Sequence, residues 1–283
     1  MQKPSTLLDP NALRRYAKRA LRFDPKDNYL ARRCGGELLD RLDLVSLEPQ
    51  VVLDLGCGAG IETEQLSARY PDALVVGMDC VLEGTNLEGF NVEAKTTWHP
   101  CLADGVRLPL PDNRVDLVLA NLLLPWIDAP AALLEICRVL KPDGLLIMST
   151  FGPDTLFELD DAWAGADKSP HVHVFQDMHN LGDELVQSGF SEPVMDADPI
   201  GLTYLNARSL AEDLRRLGGA NAREDRRRSL TGKNRWKRFE EKYQPLERDE
   251  GRIRATFELV YGIAWARSSG EPTGDSLRVT FEG

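Results

Sequence analysis

The chain has 283 residues, 42% hydrophobic and 28% charged, with a net charge of −11. That is the balance of an ordinary globular protein, long enough for one large core or one core carrying a sizeable insertion. No stretch approaches the ~20 apolar residues of a membrane span. Residues 1–13 have neither an apolar signal core nor a small-residue cleavage site, so a cytoplasmic protein is expected.

Five cysteines (Cys34, Cys57, Cys80, Cys101, Cys137) are odd in number and irregularly spaced, which argues against a disulfide framework and a paired Cys-x-x-Cys metal site. Charge is unevenly spread. Residues 14–33 hold eight basic side chains against two acidic ones, and residues 223–238 again hold eight against two, so the remainder is strongly acidic. An acidic body argues against general nucleic-acid binding. The two basic islands are either solvated helix faces or a surface that steers an acidic partner.

Residues 12–45 read as helical, with Leu30, Cys34, Leu38, Leu42 and Val45 recurring at three- and four-residue intervals. Val51-Val52-Leu53-Asp54-Leu55 is a buried strand that stops at glycines. Residues 61–70 fit a helix ended by Pro71, and residues 74–78 a second strand closing at Asp79. Residues 115–120 are a strand, 131–140 a helix, 141–144 a turn and 145–150 another strand. Such alternation implies a doubly wound, mostly parallel sheet with helices on both faces, whose ligands bind at the carboxyl ends of the strands.

Beyond Thr150 the pattern changes. Residues 151–177 read as irregular and acidic, 178–189 as a helix, 193–204 as a strand bulged at Pro199 and Gly201, 209–217 as a helix, and 255–265 as a final strand. The expected division is an N-terminal helical segment (1–48), a core (49–205 with 253–270) and a lid insertion (206–252).

The segment Asp54-Leu55-Gly56-Cys57-Gly58-Ala59-Gly60 carries the chemistry. Its glycines permit a sharp turn and close approach of a ligand to bare backbone, and the loop ends at a helix start, where N–H groups favour an anion or carboxylate. A dinucleotide fingerprint needs a third glycine where Ile61 stands, so that spacing fails, and the absence of Gly-Lys-Ser/Thr excludes a P-loop. Asp54, just before the loop, would repel a pyrophosphate but suit an ammonium group. Asp79, 19 residues after Gly60 and followed by Cys80, ends the next strand, where a carboxylate accepts ribose hydroxyls. Together these describe S-adenosylmethionine better than NAD or ATP. Asp104-Gly105 is placed to accept the adenine amino group. Asn121, at a strand end, is either a contact near the reacting sulfonium or a turn residue, and Trp126 just beyond it is expected to face the cofactor pocket.

Residues 51–60, Asp79, Asp104 and residues 114–126 resemble class I, seven-stranded, Rossmann-like methyltransferases. Ser149-Thr150-Phe151-Gly152-Pro153-Asp154-Thr155-Leu156, His171-Val172-His173-Val174-Phe175-Gln176-Asp177-Met178-His179, Pro193-Val194-Met195-Asp196 and Leu230-Thr231-Gly232-Lys233 are similar to the biotin-synthesis O-methyltransferase family. That resemblance implies methylation of the free carboxyl of malonyl-acyl carrier protein, the ester masking a charge so that the unit can be elongated toward pimelate. The C-terminal motifs also resemble arginine hydroxylases that assist respiratory complex I assembly, which gives the alternative of a hydroxylase or assembly factor.

The family's N-terminal Tyr-Asp is matched here by Phe23-Asp24, with Tyr16 and Tyr29 nearby. A carboxylate acceptor needs no general base, so the candidates for substrate contact are groups that would hold it: His171, His173, Arg215 and Arg227, with Tyr16 and Phe23. No metal is implied, because His171, His173 and His179 have no cysteine near them and the chemistry needs none. The basic islands would suit acyl carrier protein, an acidic partner.

Overall fold

The N-terminal helical stretch breaks where proline stands. In this computed structural model, which describes residues 7–82, 98–243 and 251–267, helix α1 spans Pro10–Ala20 and α2 spans Tyr29–Arg41. The single helix expected over 12–45 is corrected. Pro25 lacks the N–H that would continue a helix, and the Asp24 side chain accepts from the Lys26 N–H to cap a 3-10 turn at Pro25–Asp27. Asp9 and Asn28 cap α1 and α2 through side-chain oxygens.

The remaining elements are β1 (Val51–Leu55), α3 (Ile61–Arg69), β2 (Leu74–Asp79), β3 (Trp98–Leu102), β4 (Val115–Asn121), α4 (Ala129–Val139), β5 (Leu140–Phe151), α5 (Phe157–Ala164), α6 (Met178–Gln187), β6 (Phe190–Tyr204), α7 (Ala207–Arg216), α8 (Lys233–Tyr243) and β7 (Ile253–Ala266). Three were not expected, among them α8, which falls in the stretch read only as a basic island. β3 carries Pro100, tolerable because the strand lies at a sheet edge. α5 is short and acidic and starts from Leu156 in a left-handed conformation, without the capping side chain that would announce it.

One seven-stranded sheet has the order β3-β2-β1-β4-β5-β7-β6. The β3-β2-β1-β4-β5 pairs are all parallel, while β7 runs antiparallel to both β5 and β6. This is the mostly parallel, doubly wound sheet expected from the sequence. The bulges expected at Pro199 and Gly201 are absent. Register between β6 and β7 is continuous from Val194 to Tyr204 and slips at Ser191/Val194 instead. The turn at 141–144 is an irregularity inside β5, with Asp143 at φ 61.

The strand alternation distributes two cores. Val52, Val75, Leu117, Leu145 and Ile147 face one side with α2, α3, α5, α7 and α8. Leu53, Met78, Val118, Leu146 and Met148 face the other with α4 and α6. Between β6 and β7 lie α7 and α8, within the expected insertion 206–252. Its residues 244–250, and residues 1–6, 83–97 and 268–270 of the other expected divisions, lie outside the described residues.

On the first face Leu38 of α2 is fully buried. Leu38→Ala should destabilise the fold by about 2–5 kcal/mol, the usual range for a buried leucine truncated to alanine, read as a lowered urea midpoint.

Candidate active site

β1 has β2 on one side and β4 on the other, so the chain's crossovers diverge there and a cleft opens at the carboxyl ends of these strands. A cavity of about 250 Å³ occupies it. The sheet side of its wall is Gly56, Cys57, Gly58, Asp79, Cys80 and Asn121, with Trp126 beyond. The helical side comes from α1 (Leu13, Ala17, Ala20), the α1–α2 connection (Phe23, Asn28), Arg32 of α2, and the end of α7 (Arg216, Leu217, Gly218).

The glycine loop turns through φ +80 at Gly56, +51 at Gly58 and +80 at Gly60. A Cβ on Gly58 would meet nothing within 4 Å, so the backbone there faces open space. A Cβ on Gly60 would lie 2.8 Å from the Trp98 ring; Gly60 serves close packing and does not line the cavity. The loop is not an anion nest. Gly56 and Cys57 N–H donate to the Met78 carbonyl, Gly60 N–H to the Cys57 carbonyl, and Gly58 N–H to Asp79 Oδ2 at 3.0 Å.

Asp79 sits where the sequence places it. Oδ2 accepts from Gly58 and Oδ1 from the Val81 N–H at 2.9 Å, with Cys80 also hydrogen-bonded to the carboxyl, which lines the cavity. Asp54 does not line the cavity: it is buried beneath the loop and accepts from the Thr63 hydroxyl. Burial, with the Glu62 charge next in effect, pushes its carboxyl up to about 8, against a lowering hydrogen bond from Thr63.

Glu62, which the sequence reading missed, reaches the cavity where Asp54 does not. Its Oε1 accepts from Asn121 Nδ2 at 3.0 Å. Burial raises both Glu62 and Asp79 above their ordinary values, and burial with the Asp79 charge pushes the Cys80 thiol up to about 11. The one signal for Glu62 was a carboxylate in the first helical turn after the glycine loop.

Asp104 and Gly105 do not enter the cavity. Asp104 is exposed and its Oδ1 accepts from Val106 N–H at 3.3 Å. A Cβ on Gly105 would rest 3.4 Å from the Ile127 side chain at the cavity rim.

A second, smaller chamber of about 170 Å³ adjoins the first, and Trp126 and Leu217 line both. His171, His173 and Arg215 line this chamber. His171 Nε2 lies 2.9 Å from Asp167 Oδ1, and its ring stacks on Trp163 at 3.8 Å. His173 accepts the Ala222 N–H on Nε2 at 3.1 Å, and burial lowers it to about 4, so it is neutral at pH 7. Its ring meets the Trp126 edge at 5.2 Å.

Phe23 lines the larger cavity under the Arg216 guanidinium, 5.8 Å from its ring centroid. Tyr16 and Arg227 line neither chamber: the Tyr16 hydroxyl donates to the Asn221 carbonyl at 3.4 Å, and Arg227 is exposed. Exposed His179 bonds to Asp177 at 3.0 Å. Among the described residues no group of three or more His, Cys, Asp or Glu is set to hold a metal ion.

The raised Asp54 carboxyl gives a stability prediction. The folded chain keeps a proton that the unfolded chain, with its carboxyl near 3.8, has released. The ligand-free fold therefore loses stability as pH rises from about 4 to about 8. His173, near 4 when folded and 6.5 when unfolded, acts in the opposite sense only below about 6.5. Thermal melts from pH 6.5 to 8 should decline in the native protein, and Asp54→Asn should flatten that decline; an unchanged slope contradicts the assignment.

A methyltransferase-domain family profile matches residues 53–148. The malonyl-acyl-carrier-protein O-methyltransferase of Gallionella capsiferriformans (strain ES-2) is 39% identical over 270 residues, covering 92% of this chain and 91% of its own. Its namesake from Laribacter hongkongensis (strain HLHK9) is 42% identical over 245 residues, covering 83% and 82%. Among solved structures, the YcgJ protein of Bacillus subtilis shares the fold with a TM-score of 0.57 at 16% identity, covering 82% of this chain and 99% of that one.

Proposed function

The chain belongs to the malonyl-acyl-carrier-protein O-methyltransferases, and on that footing we infer that it methylates the free carboxylate of a malonyl group on acyl carrier protein, in biotin synthesis, with S-adenosylmethionine as donor. The structural observation that carries this reading is a carboxylate-lined, glycine-floored cavity sharing Trp126 and Leu217 with a second chamber that holds an arginine.

The residues present fit the cofactor. Asp79 lines the cavity at the end of β2, where its carboxylate can accept from the ribose hydroxyls. Gly56 and Gly58 offer bare backbone, and Glu62 offers a carboxylate to an ammonium and a sulfonium. S-adenosylmethionine supplies a methyl group already activated on a positive sulfur. Asn121 acts as a positioning residue through Glu62, and Trp126 and Cys80 shape the wall.

A malonyl carboxylate is ionised at neutral pH and needs no base. The protein's task is to bring the acceptor oxygen into line and keep water out. Helix α1, Phe23 and the end of α7 do this by roofing the cavity. Within the 206–252 insertion the lid role falls to α7 and the loop after it. α8 packs its Phe239 on Trp163 at 4.1 Å and lines neither chamber. The hydroxylase and assembly-factor alternatives are not favoured, because the relatives named above carry the methyltransferase name.

Expression of the chain in a strain lacking its biotin-pathway methyltransferase should restore growth without biotin. Soluble, cofactor-bound protein that fails to do so rejects the reading.

The carrier is an acidic protein, and the two basic islands meet. Arg226 pairs with Asp9 at the start of α1 at 2.7 Å, and the Asp9 N–H bonds to the Ala222 carbonyl. Arg14, Arg15, Lys18 and Arg19 of α1 and Arg227 and Arg228 of the loop are exposed on this joined unit. Reversing Arg227 and Arg228 to glutamate should raise KM for malonyl-carrier severalfold at low salt and leave KM for a small malonyl thioester unchanged. Equal KM values for the native and reversed proteins would exclude docking there.

A further inference from the structure

We infer that the smaller chamber is the acceptor site and that Arg215 is the group that holds the acceptor's carboxylate. This rests on the carboxyl-methylation reading above and names its substrate contact.

The chamber contains three side chains able to carry positive charge, and two are committed elsewhere. The charge His171 could carry is already matched by Asp167 at 2.9 Å, and its ring is pinned against Trp163. His173 is a neutral acceptor for the Ala222 N–H and so holds the loop after α7 in place. Arg215 is half-buried and has no ion-pair partner among the described residues. The next residue, Arg216, lines the other chamber and lies 4.0 Å from Asp213. Successive residues of one helix end thus serve two chambers.

The surroundings of Arg215 suit a short acidic group on an apolar arm. Phe151, Leu156 and Phe257 form apolar walls, where a charged hydrogen bond is worth more than in water. The planar guanidinium presents parallel donors to a carboxylate, which a lysine ammonium cannot reproduce. Trp126 and Leu217 are the shared partition, so a carboxylate held on this side abuts the cofactor cavity.

In the transfer the acceptor oxygen forms its bond to the methyl carbon as the carbon–sulfur bond breaks, the electron pair leaving on sulfur. The carboxylate becomes a neutral ester and no proton moves. The product therefore loses its charge pairing with Arg215, which favours release.

The experiment compares the native protein with Arg215→Gln and Arg215→Lys, using malonyl-carrier and a malonyl N-acetylcysteamine thioester as acceptors, with S-adenosylmethionine affinity measured by calorimetry. Arg215→Gln should raise KM for both acceptors roughly 10- to 100-fold, the worth of a lost charged hydrogen bond. Arg215→Lys should recover part of that loss, and both variants should bind S-adenosylmethionine as the native protein does. Unchanged KM values in an active Arg215→Gln protein overturn this assignment alone. Parallel loss of cofactor affinity also overturns it, by marking Arg215 as a structural support of the partition. A native protein that methylates neither malonyl thioester while binding the cofactor overturns the carboxyl reading itself.

Discussion

One side chain at the end of β4 ties the site together. Asn121 donates from Nδ2 to the Ala31 carbonyl at 2.9 Å and to Glu62 Oε1 at 3.0 Å, while its Oδ1 accepts from the Ser149 hydroxyl at 2.7 Å. Those bonds join β4, β5, α2 and α3 at the point where the sheet's crossovers diverge. They need a close approach, which Gly35 of α2 supplies: a Cβ there would lie 2.0 Å from Glu62 Oε1. With α2 seated in this way, the preceding connection and α1 are carried over the glycine loop. The cleft of an open sheet becomes a roofed cavity.

The electrostatics of the cavity follow from the same seating. Asp54, Glu62 and Asp79 crowd under and beside the loop, and burial raises all three. The arginines that line the cavity, Arg32 and Arg216, come from the helical wall opposite. A loop whose N–H groups are largely engaged within the protein, beside partly desolvated carboxylates, is poorly suited to a phosphate and well suited to a cation. A positively charged ligand relieves the crowding, so binding and folding are linked.

The division of the space into two chambers depends on the segment after α7. Tyr204 bonds to Asp213 at 2.8 Å to set the helix against β6, Asn221 donates to the Pro170 carbonyl at 2.8 Å, and His173 accepts from Ala222. The Trp163 ring, stacked between His171 and Phe239, ties α5 and α8 to that same wall. The contacts of His171 and His173 thus hold the wall around Arg215.

Much of this was legible in the residues. The short, nearly continuous apolar runs Val51–Leu55 and Val115–Asn121 determined buried parallel strands, because a strand apolar on both faces must be covered on both. The glycine spacing with Ile61 in place of a third glycine, and Asp79 at a strand end, determined the class of cofactor, since both are local backbone requirements. The break between α1 and α2 was also local, at Pro25, but the apolar repeat masked it. Other assignments were beyond local reading. Asp54 looked like the ligand's partner because it adjoins the loop, yet strand pleat turns it under the loop toward Thr63 and leaves Glu62 in the cavity. Asp104 was placed by chain position alone, and the fold leaves it exposed. The pairing of Asp9 with Arg226, and the facing of Arg215 and Arg216 into different chambers, join segments distant in sequence. Only tertiary packing decides such contacts, because side-chain direction depends on which faces of the elements are buried against each other.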